Sequence, residues 1–422
     1  MKALKVWILQ TGEPLHCDGG SSSPMRAINL ANELASRGHS ITLISSRFYH
    51  QEKHHSVNVI SPFLAEENIE IHLLRSFGYK KNIGISRLYD HFTLSLSLLW
   101  FLLRRFPDYP NLVFIGYPPI ETSFLAILWG QIFRVPTILD VKDLWPDMFL
   151  DAFNPTFRPF VKLLFFPYFM FSRYCFKKST YLSSMSSAYL SHISSRVNRK
   201  LGKFDSVNPL TRKKRYLADD VLTGCSDYWK QLGVYDKNIP RFVFIGTFMT
   251  VFDFYPIAAA AKLFYQNNIH AQFVICGDGE MSEHVINLFS HIPNCILPGW
   301  ISFEHKAFLY NISTISFIPY KNIDNYLFNF PNKVVDSLSY SVPIVTPLRG
   351  NLLSMINKYE IGWYYDERIE NSLYSLLVYL TENPDLVSGF ATNCKRIYSK
   401  QFSYESVYPR LCNTIEQVAT SY

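Results

Sequence analysis

Lys333 and Asp336 stand three residues apart in the stretch NFPNKVVDSLSYSVPIVTP, a spacing that puts a cation and a carboxylate on neighbouring positions of a helix surface. Pro331 suits the first helical turn, where its missing N–H costs nothing, and Val334, Val335 and Leu338 supply an apolar face. The pattern predicts a helix ending near Ser341, followed by a short buried strand at Pro343, Ile344 and Val345. The free N–H groups around Asn332 and the helix dipole would favour an anion. Lys333 would add a full charge to a diphosphate, and Asp336 offers acceptor oxygens for the vicinal hydroxyls of a ribose. Phosphate plus sugar points to a nucleotide. The same pattern also fits a plain amphipathic helix whose Lys333 and Asp336 face water.

The elements around this stretch belong to an α/β pattern. Residues 6–9 form an apolar run, 10–24 a loop with Gly12, Gly19, Gly20 and three serines, 25–37 a helical repeat ending at Gly38, and 40–45 a second strand. Strand, glycine loop, helix, strand opens a parallel domain. The loop lacks G-x-G-x-x-G spacing, which argues against a dinucleotide site. Strands are predicted at 111–116 and 137–141, each leading into a polar loop, Tyr117-Pro118-Pro119-Ile120-Glu121 and Lys142-Asp143-Leu144-Trp145-Pro146-Asp147. Ligands of such sheets sit beyond the carboxyl ends of the strands, so both loops are cleft candidates. A second unit follows, with strands at 241–245, 272–276, 294–297, 314–318 and 343–346 and helices at 256–265 and 281–289. Between the two, 195–216 is basic and polar, which places a boundary near 205.

At 422 residues the chain is too long for one ordinary core. With 48% hydrophobic and 18% charged residues it is globular, and its net charge of +7 suits an anionic substrate or an acidic membrane surface. Seven scattered cysteines without a Cys-x-x-Cys pair fit a reduced compartment. The opening MKALKVWILQTGEP has too short an apolar run for a signal peptide, so the chain is expected to start and stay in the cytoplasm. Two segments stand out. Residues 91–105 contain LSLSLLWFLLRR and fit buried core; 160–178 mix Phe and Tyr with Lys162, Arg173, Lys177 and Lys178, as an interfacial membrane helix does. Both runs are too short to span a bilayer.

Metal and nucleophile signatures are missing: there is no His-Glu-x-x-His, no Asp-x-Asp, no G-x-S-x-G and no P-loop. An enzyme built this way is expected to need no metal or other cofactor and to stabilise a leaving phosphate with helix dipoles and side-chain cations.

Four blocks in order resemble the family 4 glycosyltransferases, retaining enzymes of the two-domain GT-B architecture, and within them the WbuB-type enzymes of bacterial surface-polysaccharide synthesis. The blocks are LQTGEPLHCDGGSSSPMRAINLANELASRGHSITLIS from Leu9; FIGYPPIETSF with ILDVKDLWPDMF; FVFIGT with FVICGDGE; and NFPNKVVDSLSYSVPIVTP. The resemblance implies an α/β fold of two facing Rossmann-like domains. Residues 1–205 would form the acceptor-side domain and 206–390 the nucleotide-sugar domain, with a helix in 391–422 packing back on the first. The implied reaction moves a hexosyl or N-acetylhexosaminyl unit from a nucleoside-diphosphate sugar, with uridine as the expected base. The acceptor would be a polyprenyl-diphosphate-linked or growing glycan of an O-antigen, capsule or exopolysaccharide. The enzyme would work as a peripheral protein on the inner face of the anionic cytoplasmic membrane, with no nucleic-acid partner.

By the same resemblance Gly277, Asp278 and Gly279 lie against the base, Asp336 holds the ribose, Lys333 and the N–H groups around Asn332 hold the diphosphate, and Pro331, Gly246 and Thr247 also belong to the donor site. Gly19, Gly20 and Arg26 would face it from the first loop. Glu121, Asp140 and Trp145 would line the acceptor side, and Lys142, Asp143 and Lys333 would be the catalytic groups. Three departures from the family pattern stand in the sequence: Phe328 where an acid is usual eight residues before Asp336, no Arg or Lys in Gly246-Thr247-Phe248-Met249-Thr250, and Lys142-Asp143 in place of a His-Asp pair. A nucleotide-sugar 2-epimerase of the same fold and a non-catalytic partner in a polysaccharide assembly complex are the alternatives.

Overall fold

Val6 to Leu9 are buried on both sides, as the central strand of a parallel sheet covered by helices requires. The computed structural model describes residues 3–13, 25–49, 53–55, 68–80, 84–151, 153–211, 213, 217–234 and 239–422. The chain divides into two units, Met1–Lys213 with Tyr404–Tyr422, and Lys214–Ser403.

In the first unit, β1 (Lys5–Leu9), α1 (Arg26–Ser36), β2 (Ser40–Ser46) and β3 (Ile69–Leu74) are followed by α2 (Ile85–Arg104), β4 (Leu112–Tyr117), α3 (Ile120–Ile132) and β5 (Thr137–Val141). Helices α4 (Arg158–Leu164) and α5 (Phe166–Lys178) then lead to β6 (Tyr181–Ser184) and β7 (Ser206–Val207). The strands run in the order β3-β2-β1-β4-β5-β6-β7, all parallel, with Val6 opposite Ile41 on one side and Leu112 on the other. The chain moves one way across the sheet through α1 and the opposite way through α2 and α3. Right-handed crossovers therefore put α1 on one face and α2, α3 and α5 on the other. Accordingly α2 packs on α3 and α3 on α5, while α1 packs on the C-terminal helix Tyr404–Ser421. Tyr408, Leu411 and Ile415 of that helix share a core with Leu30 and Leu34.

The second unit has β8 (Arg241–Ile245), β9 (Gln272–Cys276), β10 (Cys295–Gly299), β11 (Ile315–Phe317), β12 (Ile344–Thr346) and β13 (Gly362–Tyr364), in the parallel order β10-β9-β8-β11-β12-β13. Two of its helices matter below, α6 (Phe303–Asn311) and α7 (Asn332–Ser339). Its core is unusually aromatic, with Phe242, Phe244, Phe264, Phe273 and Phe317 buried together, which absorbs part of the phenylalanine surplus. In both sheets the strand order reverses beside the first strand of the unit, and ligands of open parallel sheets bind beyond the carboxyl ends at that reversal.

Three expectations change. The strand β7 pairs with β6, so the first unit runs to Lys213 and not to 205. The second unit continues past 390 to Ser403, because Cys394, Ile397 and Phe402 lie in its core and Phe402 stacks on Phe330 at 4.8 Å. Segment 91–105 is not simply buried core. It belongs to a 20-residue helix that buries Leu94, Leu98, Phe101 and Leu102 and leaves an apolar outer side exposed. Among the described residues no helix is long and apolar enough to cross a membrane.

Candidate functional site

The helix predicted from Pro331 forms as α7. Pro331 takes the extended N-cap position (φ −62°, ψ 137°), and Ser341 turns the chain with φ 62°. Val334, Val335 and Leu338 are buried, which fixes the rotation of α7. Lys333 then points to the carboxyl end of β8. Its ammonium donates to the Ile245 carbonyl at 2.8 Å and lies 4.7 Å and 5.4 Å from the ring centres of Phe244 and Phe252. Burial pushes the Lys333 pKa down to about 8; the Asp336 charge opposes this shift and the Lys306 charge adds to it.

Gly246 is the residue that makes room for that ammonium. A Cβ there would fall 1.6 Å from Lys333 Nζ, and φ is 145°. The turn 277–279 closes against the same backbone. A Cβ on Gly277 would meet the Gly246 carbonyl oxygen at 2.1 Å, and Phe248 N–H donates to the Asp278 carbonyl at 2.9 Å. The exposed Asp278 carboxylate accepts from Ser282 Oγ and from Gly279 N–H, which hold it below the usual carboxyl range. Thr247 and Asn332 are exposed beside these turns. Asp336 pairs with Lys306 of α6 at 3.3 Å. Two lysines and one carboxylate thus gather near the start of α7, by the strand-order reversal of the second sheet. Sequence reasoning missed Lys306. Ser302 caps α6 through the His305 N–H, but nothing in the sequence ties residue 306 to residue 336. Phe328 ends the short helix Asp324–Phe328.

The first-unit residues divide into two groups. Arg26 and Asp140 are fully buried and pair with each other at 3.3 Å; Asp140 accepts from Ser183 Oγ at 2.6 Å, and Arg26 donates to the Asn208 carbonyl. Arg26, expected to face a donor, and Asp140, expected to line an acceptor, thus tie α1 and β5 to the strand edge, while Arg26 Nη1 is buried without a hydrogen-bond partner among the described residues. Lys142 is also engaged: its ammonium bonds Glu13 and, at 3.0 Å, Gln10. The other oxygen of Glu13 accepts the Ala27 N–H at 2.7 Å in the first turn of α1. Gly19 and Gly20 lie outside the described residues.

Glu121, Asp143 and Trp145 come together around α2. Glu121, in the first turn of α3, accepts from Tyr168 Oη at 2.8 Å and faces His91 Nδ1 at 3.3 Å. Burial raises its carboxyl, but bonding and charge from His91 outweigh it and the net shift is downward. The Arg87 guanidinium lies 4.4 Å over the Trp145 ring; burial lowers its pKa, and Glu121, Asp143 and Asp90 are among the groups opposing that shift. Tyr117 Oη and Ser172 Oγ donate to the Trp145 carbonyl at 2.6 Å and 3.2 Å, which fixes the backbone that carries the ring. Arg87, His91 and Tyr168 had no motif to mark them. Their convergence depends on α2, α3 and α5 sharing one face of the sheet. Together these groups form a largely buried cluster of mixed charge against the Trp145 indole.

No protein-family model matches the chain, and no curated protein matches it in sequence. Solved structures do match in fold. Sucrose-phosphate synthase from Thermosynechococcus elongatus superposes with a TM-score of 0.73 at 14% identity, over 99% of this chain and 100% of that one. HepE from Anabaena in complex with UDP and glucose gives 0.63 at 12% identity, over 98% and 100%. WaaG, a glycosyltransferase involved in lipopolysaccharide biosynthesis, gives 0.63 at 11% identity, over 97% and 99%. With two parallel α/β units of matching strand order and these likenesses along nearly its whole length, the chain has the GT-B fold of two Rossmann-like domains.

Proposed function

We propose that this protein is a retaining, metal-independent glycosyltransferase. It moves a hexosyl or N-acetylhexosaminyl unit from a uridine-diphosphate sugar to a lipid-linked or growing glycan of a bacterial surface polysaccharide. The observation that carries the reading is the placement of Lys333 and Asp336 on α7, beside Gly246 and the 277–279 turn, at the carboxyl edge of the second sheet. The glycosyltransferase neighbours, one of them holding UDP and glucose, support the donor class.

In this account Asp336 receives the ribose hydroxyls and the glycine turns admit the base against bare backbone. The N–H groups at the start of α7, with Lys333, take the diphosphate. The acceptor oxygen forms its bond to the anomeric carbon on the face from which the leaving group departs. The carbon–oxygen bond to the β-phosphate breaks with its electron pair going to the diphosphate, and a departing phosphate oxygen takes the acceptor's proton. Lys333 and the helix start stabilise the charge that develops. Glu121, Asp143 and Trp145, with Arg87 and His91, orient the acceptor. Residues 160–178 hold the enzyme at an anionic membrane surface, where a polyprenyl-diphosphate acceptor would be found.

The test is transfer. Purified protein is incubated with membrane extract and a panel of radiolabelled uridine-, guanosine- and adenosine-diphosphate sugars, with and without chelator. Label passing from one of the uridine-linked sugars into the lipid fraction, unaffected by chelator, is the expected result. No transfer or hydrolysis of any donor overturns the reading.

A further inference from the structure

Ile85, Tyr89, Phe92, Leu96, Trp100 and Leu103 fall at steps of three and four along α2, and each is between 51% and 84% exposed. They form one apolar stripe over the full length of a helix whose other side is packed into the unit, about 30 Å long at the α-helical rise. A stripe of this extent is far beyond the scattered apolar residues of an ordinary surface.

Its electrostatic setting selects what covers it. The one acid of α2, Asp90, is buried and accepts the Gly78 N–H at 2.6 Å. Arg104 stacks on Trp100 at 4.6 Å, while Arg105, next in the chain, pairs with Glu70 at 2.5 Å. On the same sheet face, beyond α3, the helices α4 and α5 expose Phe160, Leu163, Leu164, Phe166 and Met170 at 48–72%. The sequence 152–178 holds Arg158, Lys162, Arg173, Lys177 and Lys178 and no acid at all. A protein partner that sealed an apolar stripe of this kind would have to bring acids of its own to these mostly exposed cations. An acidic bilayer meets both needs, taking apolar side chains below its headgroups and cations among them.

We propose that the outer stripe of α2 is a bilayer-inserting surface, through which the first unit sits on acidic membranes together with α4 and α5. This rests on the membrane part of the reading above and adds a second, separately testable element whose contact is apolar. Because the same helix carries Arg87 and His91 beside Trp145 and Glu121, insertion of its outer side would bring the acceptor pocket to the lipid surface.

The experiment is sedimentation of the full chain with vesicles of phosphatidylcholine, alone or with phosphatidylglycerol, at low and high salt. The variants are Phe92→Ser/Leu96→Ser/Trp100→Ser on α2 and Lys162→Ser/Lys177→Ser/Lys178→Ser on α4 and α5. All six positions are surface residues outside the proposed pocket, and unchanged melting of each variant confirms folding. Wild type is expected on acidic vesicles with a fraction that resists high salt. The α2 variant should lose the salt-resistant fraction at least about fivefold, while the lysine variant loses the salt-sensitive fraction. Equal salt-resistant binding by the α2 variant and wild type overturns the proposal even where the lysine variant fails to bind. So does a wild-type dimer by sedimentation velocity that the α2 variant dissolves, without vesicle binding by either, since a second copy would then cover the stripe.

Discussion

Lys333 Nζ occupies the space in which a side chain at residue 246 would begin, 1.6 Å from the Cβ that Gly246 lacks. The glycine after the first strand of the second unit and the cation of α7 therefore act as one device, although 87 residues separate them in sequence. The strand end supplies the Ile245 carbonyl that holds the ammonium, and the bare glycine lets it arrive.

Gly246→Ala should consequently behave like a lysine mutant. The methyl group displaces the ammonium, and the backbone at φ 145° is strained by any side chain. Turnover is expected to fall by about tenfold or more, equivalent to about 1.4 kcal/mol of transition-state stabilisation. Steady-state kinetics of Gly246→Ala and Lys333→Ala should show the same loss. Wild-type turnover in Gly246→Ala would contradict the coupling.

The pH dependence of donor binding follows from the same ammonium. Burial lowers its pKa from 10.5 to about 8 in the ligand-free protein, so its positive charge is lost as pH rises through about 8. Diphosphate affinity should decline above that pH, and binding just above it should take up protons. Stability moves the other way. Between about 8 and 10.5 the unfolded chain retains a proton that the folded chain has released, so this group makes folding more favourable as pH rises across that window. Calorimetric binding and melting from pH 7 to 10 check both slopes, and Lys333→Met should flatten them.

Asp336 and Lys306 form a pair 3.3 Å apart with part of the carboxylate open to solvent. Asp336→Ala is expected to weaken nucleotide binding by about tenfold or more, the loss of about 1.4 kcal/mol, with a smaller effect on turnover at saturating donor. Lys306→Ala should weaken binding less, since it removes only the group that steadies the carboxylate. Donor titrations at fixed acceptor separate the two. Equal losses from both variants would make Lys306 a direct ligand.

Arg26 and Asp140 provide a contrast between holding the fold and touching ligand. Removing one partner of a fully buried ion pair strands the other, at a cost of about 3–5 kcal/mol. Asp140→Ala should lower the melting temperature sharply. Asp143→Ala, half-exposed on the next loop, should leave it close to wild type while reducing transfer. A melting loss in Asp143→Ala as large as in Asp140→Ala would remove Asp143 from the site.

Much of the parallel architecture was legible because apolar runs such as 241–245 and 272–276 are short strands, buried at four of five residues and followed by glycine, and their observed bounds coincide with the predicted ones. The α7 helix was legible for a similar reason: proline at its start and apolar spacing are local signals. The fate of Arg26 and Asp140 was not, because a loop arginine and a strand-end aspartate give no sign that they will meet in a core across a hundred residues. Lys306, Arg87 and His91 were hidden for the complementary reason, as ordinary residues on helices whose partners are set only by tertiary packing. The outer side of α2 was misjudged because one-dimensional hydrophobicity cannot tell a helix apolar all round and buried from one apolar all round and half-exposed.

The most direct test of the central claim is calorimetric titration of UDP, GDP and ADP into the wild type, Lys333→Ala and Asp336→Ala, paired with transfer from the matching sugar donors. Saturable binding of UDP in preference to the others, weakened in Asp336→Ala, with turnover lost in Lys333→Ala, is the predicted result. Failure of every nucleotide to bind the folded wild type, or undiminished binding and transfer in both variants, would contradict the account.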